Sequence, residues 1–147
     1  LSDTDLSAMA VYLKTLGEGA GSGAAVESTE PGPPATAAGP GVKLYVDHCA
    51  ACHGERGEGV PGAYPSLAGN RAVTMAMSAN LVRIVLEGGF APSTAAHPRP
   101  YGMPPFAQTL SNEDVASLLT HLRGSWGNRA AAVSPVEVNR YRGSGAR

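Results

Sequence analysis

Five consecutive residues, Cys49-Ala50-Ala51-Cys52-His53, hold both cysteines of the chain and a histidine directly behind the second. In a helical turn the cysteines lie three apart and Cys49 and His53 four apart, so all three project from one side. Each of two thiols so placed can bond covalently to one vinyl group of a porphyrin. The imidazole beside the second sulfur can then bind the iron from the proximal side. C-x-x-C-H is the attachment signature of a c-type haem. The expected cofactor is therefore one haem c, covalently attached through Cys49 and Cys52, with His53 as an iron ligand.

Two other chemistries use paired cysteines. A redox dithiol of the thioredoxin kind belongs beside a βαβ pattern, and no run of strands is visible here. A zinc site needs two further good ligands. His48, His97 and His121 are available, but no two of these three have H-x3-5-H spacing and there is no second cysteine pair.

A haem iron held by His53 has a second axial position. Met103 is the candidate, in Tyr101-Gly102-Met103-Pro104-Pro105-Phe106, where glycine and prolines fix the direction of a loop. A thioether is a soft ligand suited to haem iron, and Met/His ligation raises the potential. Met75 and Met77 lie in or beside an expected short helix and read as packing residues. His97, in a loop before Pro98, is the main non-methionine rival. His48 and His121 fall on or near helix faces and read as surface or packing residues.

The 147 residues carry a formal net charge of −1 and are 43% hydrophobic, enough for one ordinary domain plus extras. The balance is not basic enough to point to nucleic acid. No stretch approaches the roughly 20 consecutive apolar residues of a transmembrane helix, and Leu1 opens a polar, acidic segment unlike a signal peptide. The 19 glycines and 12 prolines predict much loop and linker.

Residues 1–16 read as a helix capped by Ser2 with Asp5, carrying Leu6, Met9, Ala10, Leu13 and Leu16 on one face. The layout recurs at 110–123. Leu1-Ser2-Asp3-Thr4-Asp5-Leu6 matches Leu110-Ser111-Asn112-Glu113-Asp114-Val115, and Met9, Ala10 and Leu13 fall on Leu118, Leu119 and Leu122. Such a repeat makes 1–16 the expected C-terminal helix of a preceding, similar domain. Residues 17–40 form a Gly/Ala/Pro linker.

The folded domain is expected over 41–127, followed by a tail at 128–147. Val42, Tyr45, Val46 and Cys49 mark a helix leading into the haem motif. Gly54, Gly57, Gly59 and Pro61 start a loop, residues 71–77 a short helix, and Ala79 to Glu87 a better one with Leu81, Ile84 and Val85 on one face. A proline-rich loop reaches Met103. Ser111 then caps a helix with Val115, Leu118, Leu119 and Leu122 inward. In the tail, Val133, Val136 and Val138 are candidates to lie against the domain, while Arg140, Arg142 and Arg147 are expected to stay solvated. The fold class is all-α: a small, loop-rich helical domain packed around its haem, too small for a generous core of its own.

Taken together, these residues resemble a mono-haem cytochrome c domain. They are similar to the third haem domain in the cytochrome subunit of bacterial membrane-bound alcohol, aldehyde and sugar-acid dehydrogenases. The resemblance rests on Cys49–His53, Pro65-Ser66-Leu67-Ala68-Gly69-Asn70, Glu87-Gly88-Gly89, Met103-Pro104-Pro105-Phe106, and Leu110-Ser111-x-x-Asp114 through Trp126-Gly127-Asn128. It implies that His53 and Met103 ligate iron and that Pro65 and Leu67 belong to the cofactor-binding set. It also implies that the Pro65 carbonyl accepts a hydrogen bond from the His53 ring, fixing its tautomer. Three such domains stand in tandem in that family, which accounts for the repeated helix. Related chains also serve molybdenum-dependent hydroxylases.

The resulting expectation is an electron-transfer module, without catalytic residues of its own. It passes single electrons from a dehydrogenase subunit or neighbouring haem domain to a quinone or terminal oxidase. The resemblance puts it in the periplasm, with membrane association through the complex. The competing expectation is a haem peroxidase-like enzyme with an open distal site, favoured if Met103 does not bind iron.

Overall fold

The core forms where two helices cross at a glycine. The computed structural model describes residues 2–19, 39–95 and 101–142. Within them α1 is Asp3–Gly19, α2 Pro40–His48, α3 Ala50–His53, α4 Arg71–Thr74, α5 Ala79–Glu87, α6 Asn112–Gly124 and α7 Pro135–Arg142. A two-residue antiparallel ribbon pairs β1, Gly89–Phe90, with β2, Gly102–Met103. His97 and Arg147 lie outside the described residues.

Pro40 starts α2, where its missing N–H costs nothing. A Cβ on Gly41 would lie 2.3 Å from the Ser117 carbonyl oxygen and 2.9 Å from His121 Cβ. Hydrogen alone lets α2 approach α6 this closely. Tyr45, one turn further on, is then buried. Its ring meets those of Trp126 at 4.9 Å and His121 at 5.8 Å.

Around this crossing, Leu81, Val82, Val85 and Leu86 of α5 and Val115, Ala116, Leu118, Leu119 and Leu122 of α6 form one buried cluster. Burial of such side chains is worth roughly 1.5–3 kcal/mol each and dominates the stability of the fold. α6 is set by the capping box that its sequence announces. Ser111 Oγ accepts from the Asp114 N–H at 3.1 Å, and Asp114 Oδ2 accepts from the Ser111 N–H at 3.0 Å.

Several expected packing positions differ. Val46 is 62% exposed, because α2 presents Tyr45 and Cys49 to the core instead. Ile84 is 40% exposed, and Val82 and Leu86 fill the place expected for it. The helix expected at 71–77 stops at Thr74, and Met75 and Met77 are exposed rather than packed. Met75 turns to extended backbone there, and the buried Arg123 guanidinium takes up the freed carbonyls of Val73 at 2.8 Å and Met75 at 2.9 Å while also donating to Ala131 at 2.6 Å.

Beyond Asn128 the chain returns to the core. Val133 and Val138 are buried and Val136 points outward. Arg142 is half-buried and engaged rather than free in solvent: its guanidinium donates to Asn112 Oδ1 at 2.6 Å, to the Leu110 carbonyl at 2.8 Å and to the Ala107 carbonyl. α1 shows the same capping box as α6, with Asp5 Oδ2 accepting from the Ser2 N–H at 2.9 Å. Yet Leu6, Met9 and Leu13 on its apolar face are exposed.

Candidate haem-binding site

The attachment motif folds as a single turn. Cys49 ends α2, its N–H bonding the Tyr45 carbonyl, and caps α3. Its carbonyl accepts from Cys52 N–H at 3.1 Å and His53 N–H at 2.9 Å. This is the three-and-four spacing that gathers both sulfurs and the imidazole to one side. Gly54 stops the turn at a φ of 80°, and its carbonyl accepts the Tyr45 hydroxyl. Burial, followed by the neighbouring Cys49 sulfur, pushes that phenol up to about 12, so it donates as a neutral group.

His53 Nδ1 lies 2.9 Å from the Pro65 carbonyl oxygen. A carbonyl only accepts, so Nδ1 carries the proton and Nε2 presents its lone pair outward. The loop bringing Pro65 there depends on Gly59. A Cβ at this residue, whose φ is 68°, would fall 2.6 Å from Ser66 N and Tyr64 O. Val60 and Tyr64 close the tip with reciprocal 2.9 Å backbone bonds.

Met103 stands in β2 opposite Gly89. Gly88, with a φ of 68°, lets this segment in: its Cβ would be 2.4 Å from the Met103 carbonyl oxygen. Phe106 and Ala107 N–H bond the Val85 and Leu86 carbonyls at the end of α5, both at 3.0 Å. Ring contacts tie the segment to the attachment motif from two sides. Tyr101 meets Tyr64 at 5.0 Å, next to Pro65 in sequence, and Phe106 meets His48 at 5.6 Å, next to Cys49. Cys49, Cys52 and His53 thus sit where α2 meets α3, Pro65 and Leu67 lie on the loop that follows, and Met103 stands in β2.

The donor set fits a covalent haem. Both thiols are free of any disulfide. Cys49 is buried, and burial, with Cys52 second, pushes its thiol up to about 11. A zinc site would need two further good ligands beside the pair. Among the described residues no three His, Cys, Asp or Glu side chains come together as a metal site. Leu67, Met103, Phe106 and Ala50 pack half-buried against the core, giving an apolar plate something to lie on.

Sequence reasoning missed Tyr64. Its ring meets that of Tyr101, and partial desolvation first, with the nearby Cys52 sulfur second, holds its phenol above the usual range. Its place just before Pro65 was the available signal.

The chain matches the cytochrome c family model over residues 38–126. It belongs to the cytochrome c family and is a haem c electron-transfer module. It is 34% identical over 99% of its length to the cytochrome c subunit of the quinone alcohol dehydrogenase of Gluconacetobacter polyoxogenes, matching 32% of that subunit. It is 37% identical over 90% of its length to the gluconate 2-dehydrogenase cytochrome c subunit of Pantoea cypripedii, matching 31% of it. Cytochrome c-552 of Thermus thermophilus is 36% identical over 60% of this chain and 69% of its own. The chain therefore spans about a third of the dehydrogenase subunits it resembles. No helix among the described residues is long and apolar enough to cross a membrane.

Proposed function

We propose that His53 and Met103 are the two axial ligands of the haem held at Cys49 and Cys52. In this reading the chain relays single electrons from a dehydrogenase catalytic subunit, or a neighbouring haem domain, to a quinone or terminal acceptor. The observation carrying the His53 assignment is its Nδ1 hydrogen bond to the Pro65 carbonyl, which leaves Nε2 free to bind a metal in the turn that holds both thiols. The bound haem supplies a one-electron ferric/ferrous couple.

The chain's own residues do the rest. Pro65 fixes the imidazole tautomer and raises its basicity. Met103 offers a soft sulfur that favours the reduced metal. Leu67 and Phe106, half-buried against the core, would offer a bound haem apolar surface to pack on, which would limit solvent reorganisation as its charge changes. Residues 1–16 close a preceding domain of the same kind, 17–40 link it to the haem domain at 41–127, and 128–147 follow as the tail. The capping box shared by α1 and α6 and the exposed apolar face of α1 support that division. The names of the relatives support a dehydrogenase partner. We place the module on the periplasmic side of a bacterial inner membrane, held there through its complex.

The test is rapid mixing of the oxidised protein, without oxygen, with a quinone-type alcohol or gluconate dehydrogenase catalytic subunit and its substrate. The account expects reduction of the haem by one electron, dependent on both substrate and dehydrogenase. Reduction at the same rate without dehydrogenase, or peroxide turnover in place of electron transfer, would contradict it.

A further inference from the structure

Asn128 is buried, 4% exposed, just past the end of α6, and all its polar atoms are engaged. Its Nδ2 donates to the Leu67 carbonyl at 3.0 Å and the Leu122 carbonyl at 2.8 Å, and its Oδ1 accepts the Gly69 N–H at 2.9 Å. One amide thus clamps the Pro65–Asn70 loop to α6 across 59 and 61 residues of sequence. Two residues earlier, Trp126 presses on the other strand of the same loop, where a Cβ on Gly57 would be 2.7 Å from its ring. Gly57 in turn accepts the Leu67 and Ala68 N–H groups at 2.7 and 2.9 Å.

The Pro65 carbonyl shares one rigid peptide plane with the Ser66 nitrogen, so its direction follows from how the residues just after it are held. That carbonyl is the acceptor for His53 Nδ1. We infer that Asn128 is a positioning residue for the proximal ligand: by holding Leu67 and Gly69 it sets the Pro65 hydrogen bond, and through it the redox potential. The inference rests on the reading that His53 ligates iron. A weaker Nδ1–H···O bond makes the imidazole a poorer donor to ferric iron, so loosening the clamp should raise the potential.

The test uses holoprotein carrying Asn128→Leu, which keeps the branched shape and removes every polar atom, or the milder Asn128→Ser. Val138→Ala, a cavity in α7, is the control. The expected result is a midpoint potential above wild type in the Asn128 variants, with the hyperfine-shifted His53 Nδ1–H resonance displaced. The control should lose thermal stability at an unchanged potential. Lower stability with both the potential and that resonance unmoved would reduce Asn128 to a structural residue and overturn the inference. If wild type shows no hyperfine-shifted His53 resonance, the ligand assignment itself fails. If neither variant accumulates with haem, exchange in wild type decides. Gly69 N–H and His53 Nδ1–H should open with one free energy, and two clearly different values would overturn the clamp.

Discussion

Replacing both cysteines by alanine should give a protein that loses its colour on extraction with acidified acetone and has the mass of the bare polypeptide. The substitutions themselves are mild: each removes one sulfur, on the order of 1 kcal/mol of apolar packing. The expected loss is far larger, because the sulfurs convert a dissociable ligand into part of the chain. A dissociable ligand stabilises a fold only as far as its concentration exceeds its dissociation constant, whereas a tethered one is present at every dilution. The half-buried Leu67, Met103 and Phe106 lose their covering plate in the unloaded chain. Thermal unfolding of the double variant should therefore be broad, early and sensitive to added haem, while wild type unfolds cooperatively. Equal melting curves would show that the helices need no staple.

Met103→Ala should lower the midpoint potential by a sizeable part of the roughly 0.8 V over which axial ligation tunes haem iron. The thioether favours the ferrous state, and alanine leaves water or another donor in its place. The weak red-edge absorption of sulfur-ligated ferric haem should vanish, and small anions should bind the iron. The fold should survive, because the segment is anchored elsewhere: by Phe106 and Ala107 N–H to α5, and by the Tyr101–Tyr64 and Phe106–His48 ring contacts. An unchanged potential and spectrum would remove Met103 from the assignment.

What the sequence disclosed here was whatever is encoded locally. α5 could be read to its ends, Ala79 to Glu87, because a helical run meets Gly88. α6 could be read because Ser111 and Asp114 cap it reciprocally, three residues apart. The attachment turn is a five-residue signal. Which face of a short helix turns inward was less legible. Val82 and Ile84 are both apolar, and only the packing of the neighbouring helices on α5 decides which of them is buried.

Least legible were polar residues whose partners are distant backbone groups. Arg123 is a cation in the last turn of α6, yet it is buried against carbonyls 48 and 50 residues away. Arg142 reads as a solvated tail residue and instead fastens α7 to the start of α6. Asn128 belongs to the Trp126-Gly127-Asn128 stretch, but two of its hydrogen-bond partners lie on a loop 59 and 61 residues earlier. No periodicity or spacing carries such information, since it arises only when the chain has folded.

The central claim is that this turn carries a thioether-bound haem, and the intact mass of the native protein under denaturing conditions tests it most directly. The account predicts the polypeptide plus one haem, with neither Cys49 nor Cys52 open to alkylation. A mass equal to the polypeptide alone, with both thiols alkylated, would contradict it.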